Sequence, residues 1–579
     1  MKRHLVLVLA ALASACAAPQ AARQSLAPVE VGIIAINDFH GALEPPKAAV
    51  GMPDGKGGKL VVPAGGVAWL ASAIDAIKAR HPNNIVVAAG DLTSASQLAS
   101  SLYLDEPAVG VMNRVGLAFN AVGNHEFDRG REELLRLQNG GCEKFAPRDP
   151  CQLERFAGAD FKYLSASTFK EDGSTLFPAT GLRSFGEGGR KVTVGFIGLA
   201  LSGVPDLVNA EGIRGLTFGD EAAAINAAVP KLKAAGADAV VVLIHQGGRT
   251  KGEPDPEGCA QFAGDIDPIL RRLDPGVDVV VSGHTHWSYV CDYGTIDPAH
   301  PILLTSAGVY GELVTDITLT IDPTSDRVIA RRAHNVIVQS PGYSGGRGVV
   351  ENTDAVPRFE PRADVAAYVK RYVDAASAFA DRPVGRISGS AEKPDGLSSN
   401  TGGVLGNLIA DGQLAATKAA GAQIAVTNPF GIRAPLVPAD DGSVTFGQLY
   451  AVQPFNNQLV TLTLTGAQLL AAFEDGLDDS GAQQVLSPSR GVKLVYDLSR
   501  PERGRVVSLT LDGKPVDPAA RYRVTMAKFL ADGGDGYETF TKGTDRNLGA
   551  LDIDAFQAWI AGADIRQVPA EERTTATAR

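Results

Sequence analysis

The sequence has little cysteine, 5 in 579 residues, and no two cysteines stand in C-x-x-C spacing. This argues against a zinc site built on thiolates. It also has no long run of one charge. A formal net charge of −11 spread along the chain argues against an electrostatic nucleic-acid binder, so no nucleic-acid polymer is expected as partner. Beyond the first residues no segment is long and apolar enough to span a bilayer, and no internal repeat is visible. What remains is a chain too long for one core, of ordinary globular composition, so two or more domains are expected.

The opening stretch "MKRHLVLVLAALASAC" places Lys2 and Arg3 before a short apolar run and small residues ending at Cys16. That is the pattern of an export signal. "LASAC" resembles the bacterial lipobox, in which the cysteine is lipidated, although Ala13 stands where that pattern prefers Leu. Cleavage at an A-x-A site explains the same residues, so a lipid anchor through Cys16 and simple cleavage both stay open. The expected location is the periplasm, or the outer membrane by way of an anchor. Export permits disulfides, and local pairing of Cys142 with Cys151 and of Cys259 with Cys291 is expected, four free thiols being the alternative.

From residue 31 to about 310, β-branched runs such as "VGIIAI", "NIVVAAG", "KVTVGFIG" and "VDVVVSG" alternate with helical patterns, as in an α/β domain with buried strands. A Gly- and Pro-rich stretch then precedes "ADVAAYVKRYVDAASAFAD", which reads as a linker and a connecting helix. From about residue 383 amphipathic strands mix with a few helices. The division is therefore 1–27 export signal and tether, 28–345 first domain, 346–382 linker and helix, 383–565 second domain, and a disordered tail over 566–579.

One pattern recurs in the first domain: an apolar strand runs directly into a metal-ligand residue. "IIAINDFHG" ends in Asp38 and His40, "IVVAAGDL" in Asp91, "AFNAVGNHEFD" carries Asn124, His125 and Asp128, "VVVLIHQGG" ends in His245, and "VVVSGHTH" in His284 and His286. A single polar residue after a strand is usually a cap or turn former; five such segments together point to a site. Asp, Asn and His without cysteine suit Zn, Mn, Fe or Co, and are too rich in nitrogen for calcium. Seven ligands exceed one tetrahedral ion, and two divalent ions bridged by Asp91 use them fully. Such a pair polarises a phosphoryl oxygen and acidifies a bridging water, which leads to phosphate-ester hydrolysis.

D-x-H, G-D, G-N-H-E-F-D, strand-H and G-H-T-H, in that order, resemble the calcineurin-like metallophosphatases, and "GNHEFDRG" is similar to their 5′-nucleotidase branch. The resemblance implies a two-sheet αββα sandwich, a connecting helix and a C-terminal mixed α+β 5′-nucleotidase domain. It implies one metal held by Asp38, His40, Asp91 and His286, a second by Asp91, Asn124, His245 and His284, and His125 with Asp128 as a catalytic dyad. Glu126 and Phe127 read as structural.

By the same resemblance the second domain holds the nucleotide. "VQPFNN" supplies Phe455 and "FLADGGDGY" supplies Phe529 and Asp535, two aromatics for stacking a base and a carboxylate for ribose hydroxyls. "TNPFGIRAPL" keeps Asn428 and Arg433 but places Pro429 and Phe430 where the family usually has a more open glycine loop. "SSNTGGVLGNL" has Thr401 and no arginine where the family often has a basic residue. The function implied is an exported hydrolase of nucleoside 5′-monophosphates, acting on small molecules. The alternatives are a 2′,3′-cyclic nucleotide phosphodiesterase with 3′-nucleotidase activity, a nucleotide-sugar hydrolase and, more remotely, a non-catalytic nucleotide-binding surface lipoprotein.

Overall fold

The strand Val29–Ile36 is buried on both sides, and its two faces meet different layers. Val29, Val31, Ile33 and Ala35 point into an apolar layer shared with Val194, Phe196, Val241, Leu243, Val279 and Val281 of a second sheet. Ile34 and Ile36 turn the other way, toward the helix Val67–Arg80. Alternation with period two on a strand enclosed by sheet and helix is what a sandwich requires. The computed structural model describes residues 26–577 apart from 147, 209, 253, 346–347, 395–399, 456 and 479–482. The export-signal reading, Cys16 included, falls on residues 1–25, outside those described.

The first sheet has six strands in the order Arg327–Ile337, Leu313–Asp322, Val29–Ile36, Asn84–Ala88, Leu117–Ala121 and Lys162–Leu164. Its last four strands run parallel. The second sheet also has six strands, with Val192–Ala200, Ala239–His245, Val279–Ser282 and Leu303–Ala307 parallel at its centre. The helix Glu221–Ala234 covers its outer face through Ile225, Val229 and Leu232. The parallel strands of each sheet therefore deliver their C-terminal ends to one edge of the sandwich, where open α/β sheets place their sites.

The helix Ala363–Ala380 buries Val365, Tyr368, Val369, Tyr372 and Ala376 in the same apolar cluster as the first domain's helices. That cluster continues through Leu405, Ile409, Tyr450 and Phe556 of the second domain. The second domain is built on a five-stranded sheet, ordered Ser487–Pro488, Ile424–Thr427, Arg521–Ala527, Gln458–Thr465 and Thr544–Leu551, with a smaller four-stranded sheet beside it. Disulfides join Cys142 to Cys151 and Cys259 to Cys291. Among the described residues no helix is long and apolar enough to cross a membrane.

The tail corrects a sequence expectation. "VPAEERTTATAR" reads as disordered because it is polar, yet Thr574–Ala576 adds a parallel strand to Val492–Tyr496. Its anchor is Arg573, 4% exposed, whose guanidinium forms a two-pronged ion pair with Asp411 at 2.8 and 3.0 Å. A single buried ion pair outweighs the composition around it.

Candidate active site

Asp38, His40, Asp91, His284 and His286 all have left-handed backbone, with φ between 48° and 70°. That region is sparse for residues other than glycine, and it clusters where a side chain must be re-aimed after a strand. Gly90, at φ 87°, makes the same bend possible ahead of Asp91, and a Cβ there would lie 2.6 Å from His245 Nδ1. The strand ends thus turn their polar side chains inward to one place.

Asp91 Oδ2 is 2.9 Å from His245 Nε2 and 3.8 Å from His40 Nε2. Asn124 Oδ1 lies 3.1 Å from both His245 Nε2 and His284 Nδ1. His286 Nε2 is 3.2 Å from His40 Nε2 and 3.4 Å from Asp38 Oδ1. All seven sequence-predicted ligands therefore converge; Asp91 reaches toward both His245 and His40, and Asp38 is common to the two closest sets. Asp38, His40 and His286 form one set with mutually close ligand atoms; Asp38, Asp91 and His245 form another.

The surrounding groups orient these side chains. His40 Nδ1 faces the Ser94 carbonyl at 3.0 Å and His245 Nδ1 the Ala89 carbonyl at 2.8 Å, leaving each Nε2 directed into the cluster. Burial pushes His40, His284 and His286 below the ordinary imidazole value, His284 to about 3, so their lone pairs are available for coordination. Burial lifts Asp38 to about 7. Burial also pulls on His245, but the Asp91 carboxylate outweighs it and raises the group to about 10. The 2.9 Å contact between them is that of a shared proton, which a cation would replace. Donor types, convergence and fixed tautomers fit divalent metal ions.

His125 lies at the rim of the cluster. Its backbone N–H donates to Asp91 Oδ1 at 2.9 Å and its Nδ1 is 2.8 Å from Asp128 Oδ2. Burial lowers its basicity, yet Asp128 and Asp91 more than offset this and the imidazole ends above its ordinary value. The C-terminal domain closes over it: the Phe455 ring is stacked 5.8 Å from the His125 ring, and the Arg433 guanidinium lies 6.0 Å from Phe455. Arg433 Nη2 is buried and has no hydrogen-bond partner among the described residues.

A cleft of about 2820 Å³ between the domains is lined by Asp91, Asn124, His125, Asp128, His284 and His286 from one side and by Asn428, Arg433, Phe455, Phe529 and Asp535 from the other. Asn428 Nδ2 donates to Asp535 Oδ2, and burial raises Asp535 to about 6. Phe529 lines the cleft and also packs on the domain core; its ring comes so near Gly534 that a Cβ there would sit at 2.4 Å. Phe430, from the "NPFGIR" loop, lines the cleft too, and Lys393 Nζ supports that loop by donating to the Pro429 carbonyl at 2.9 Å.

Two contributors are not among the donors or cleft residues that the motifs single out. Glu126, which reads as structural in the sequence, accepts the backbone N–H groups of Asp91, Leu92, Thr93 and Gly123, tying together the two loops that carry ligands. Tyr310, in left-handed backbone, sets its ring 5.9 Å from His40 and 6.3 Å from His286. Nothing in "GVYGE" distinguishes that tyrosine from a turn residue.

Residues 32–288 match the family described as calcineurin-like phosphoesterase, and residues 383–542 match the 5′-nucleotidase C-terminal domain. Endonuclease YhcR of Bacillus subtilis is 29% identical over 510 residues, 87% of this chain and 37% of that protein; the chain thus spans little more than a third of that relative. An uncharacterized protein in the pqq-V 5′ region of Acinetobacter calcoaceticus is 52% identical over 161 residues, 27% of this chain and 79% of that one. The crystal structure of a 5′-nucleotidase precursor from Thermus thermophilus superposes with a TM-score of 0.73 at 26% identity, covering 94% of this chain and 99% of the other. The chain belongs to the calcineurin-like phosphoesterases that carry a 5′-nucleotidase C-terminal domain, a family of metal-dependent phosphoester hydrolases.

Proposed function

We propose that this protein hydrolyses nucleoside 5′-monophosphates to nucleoside and phosphate at a centre of two divalent cations, Asp38, His40, Asp91 and His286 holding one and Asp91, Asn124, His245 and His284 the other. The observation that carries the reading is the convergence of seven donors beside the His125–Asp128 pair, at the base of a cleft whose far wall bears Arg433 and Phe455. Bound there, the cations supply polarisation of a phosphoryl oxygen and acidification of the attacking water.

The chain's own groups do the rest. His125, oriented by Asp128, stabilises charge on the transferring phosphoryl group or protonates the leaving oxygen. Arg433 presents a fork to the non-bridging oxygens. Phe455 and Phe529 stack the base, and Asp535 with Asn428 engages the ribose hydroxyls. The attacking group is water and not a side chain, so no phosphoenzyme forms.

The relative named an endonuclease makes a polynucleotide the second reading. The net charge of −11 works against it, because polymer binding draws on phosphate neutralisation by a basic surface. We further propose export, supported by the two disulfides, which persist in oxidising compartments; Cys16 carries lipid or is removed with the signal.

Hydrolysis of AMP, read as phosphate, and of a 2′,3′-cyclic nucleotide, a nucleotide sugar and single-stranded DNA, read by chromatography of the products, with and without chelator, tests the reading. Chelator-sensitive release from AMP above the others is expected. Cleavage of DNA alone, or activity indifferent to chelator, would overturn it.

A further inference from the structure

A series of hydrogen bonds crosses from one domain to the other beside the proposed site. Ser101, at the end of the helix Leu98–Ser101 in the first domain, sets its hydroxyl 2.6 Å from that of Tyr450, which stands on the helix Phe446–Val452 of the second. Both residues are buried, Tyr450 to 1% exposure. On the first-domain side Arg129 Nη2 donates to Ser101 Oγ at 3.1 Å, and on the second-domain side Tyr450 Oη donates to the Pro454 carbonyl at 3.0 Å.

These end points fix the direction of every proton, because a guanidinium only donates and a carbonyl only accepts. Ser101 accepts from Arg129 and donates to Tyr450, and Tyr450 donates to Pro454. Each hydroxyl gives one bond and takes one, with a cation at the head of the series, the arrangement in which hydrogen bonds polarise one another. The head is itself anchored. Arg129 pairs with the fully buried Asp105 and donates to Ser94 Oγ at 3.1 Å. Asp105 also accepts the Ser94 N–H at 2.9 Å and the Ser100 hydroxyl at 2.6 Å.

Both ends of the series arrive at His125. Arg129 follows Asp128, whose carboxylate orients the His125 ring. Pro454 precedes Phe455, whose ring is stacked 5.8 Å from that of His125 with the two planes 22° apart. A tyrosine that only filled the apolar cluster would satisfy its hydroxyl on Pro454 alone; the bond to Ser101 adds nothing to its own helix and ties the Phe455 turn to the first domain. We propose that Tyr450 is a positioning residue: through Ser101 and Pro454 it sets Phe455 against His125, so that the surface receiving the base and the imidazole serving the phosphoryl group are assembled in one register. This rests on the reading of Phe455 as a base-stacking residue in a nucleotide-hydrolysing site.

The full chain loaded with zinc tests it. In protein carrying isotope-labelled histidine, the His125 ring protons, assigned by their loss in His125→Ala, feel the ring current of Phe455, and Phe455→Ala shows where they resonate without it. Tyr450→Phe keeps the ring volume and removes the hydroxyl, and should move the His125 resonances toward the Phe455→Ala position. Ser101→Ala breaks the same link from the other domain and should move them in the same direction; if Tyr450→Phe does not fold, this variant alone decides. With AMP, Tyr450→Phe should raise KM about tenfold, as for loss of one stacking contact, and leave kcat unchanged. In the Phe455→Ala background it should add nothing, because it acts through that ring. Resonances that stay in place in either hydroxyl variant, or equal losses with and without Phe455, would make the two hydroxyls ordinary packing groups and overturn the proposal. If the wild type leaves AMP intact, the nucleotide reading fails, and the His125 resonances still decide whether Tyr450 places Phe455.

Discussion

The carboxylate of Glu126 grips the backbone of Asp91: its Oε2 accepts the Asp91 N–H at 2.9 Å while also accepting that of Gly123 at 2.6 Å. The residue that bridges the two halves of the proposed centre is therefore held in place by a residue that touches no ligand atom. Glu126→Gln keeps the shape but turns one acceptor oxygen into a donor facing N–H groups. Metal affinity, measured by competition with a chelating dye, should fall about 10- to 100-fold. An unchanged affinity would mean that Asp91 is positioned by its own turn alone.

His125 and Asp128 make a second, separable prediction. The folded-state value of His125 is raised, so its protonated form outlasts that of a free imidazole as pH increases. The stability this pairing contributes is complete below the unfolded value of about 6.5 and disappears as pH rises through the folded value. In the metal-free protein, imidazole titration by NMR should place His125 above about 6.5, and Asp128→Asn should bring it down. With metal bound, His125→Ala should lower kcat by roughly 10² to 10⁴ while metal content stays constant.

Arg573→Ala tests the ordered tail. It leaves Asp411 buried without its partner and removes donors to the Asn407 and Pro488 carbonyls. The loss in unfolding free energy should be about 3–5 kcal/mol, read from chemical denaturation. Less than about 1 kcal/mol would show that the tail detaches at little cost.

The Cys259–Cys291 disulfide closes a loop of 32 residues that contains Ala263, the backbone partner of Arg249, and the His284–His286 turn. Replacing both cysteines with serine should lower stability by about 3–4 kcal/mol on the loop-entropy model. Thermal melting of the double variant against the wild type checks this.

The candidate metal-ligand set is legible in the sequence because each donor sits close behind an apolar strand, so that topology and site are written in the same short segments. His284 and His286 follow "VVVS" after a single glycine, and the parallel sheets bring such ends together without further instruction. Glu126 is visible only as part of a motif, since its partners at residues 91–93 are more than thirty positions away and use backbone groups that carry no sequence signature. The tail misleads because local composition says nothing of a buried ion pair contributed by a helix residue 162 positions earlier.

The apolar cluster that runs from Val67 through Tyr372 to Tyr450 and Phe556 is one body of side chains, although the chain reads as two domains. The boundary seen in sequence is thus a boundary of topology and not of thermodynamics. A fragment cut at residue 345 would leave the Val67–Arg80 and Glu106–Val115 helices with a bare oily flank and invite self-association. Heating the intact chain should melt both halves together, and anyone wishing to study the hydrolytic half alone would first have to repaint that flank with polar residues.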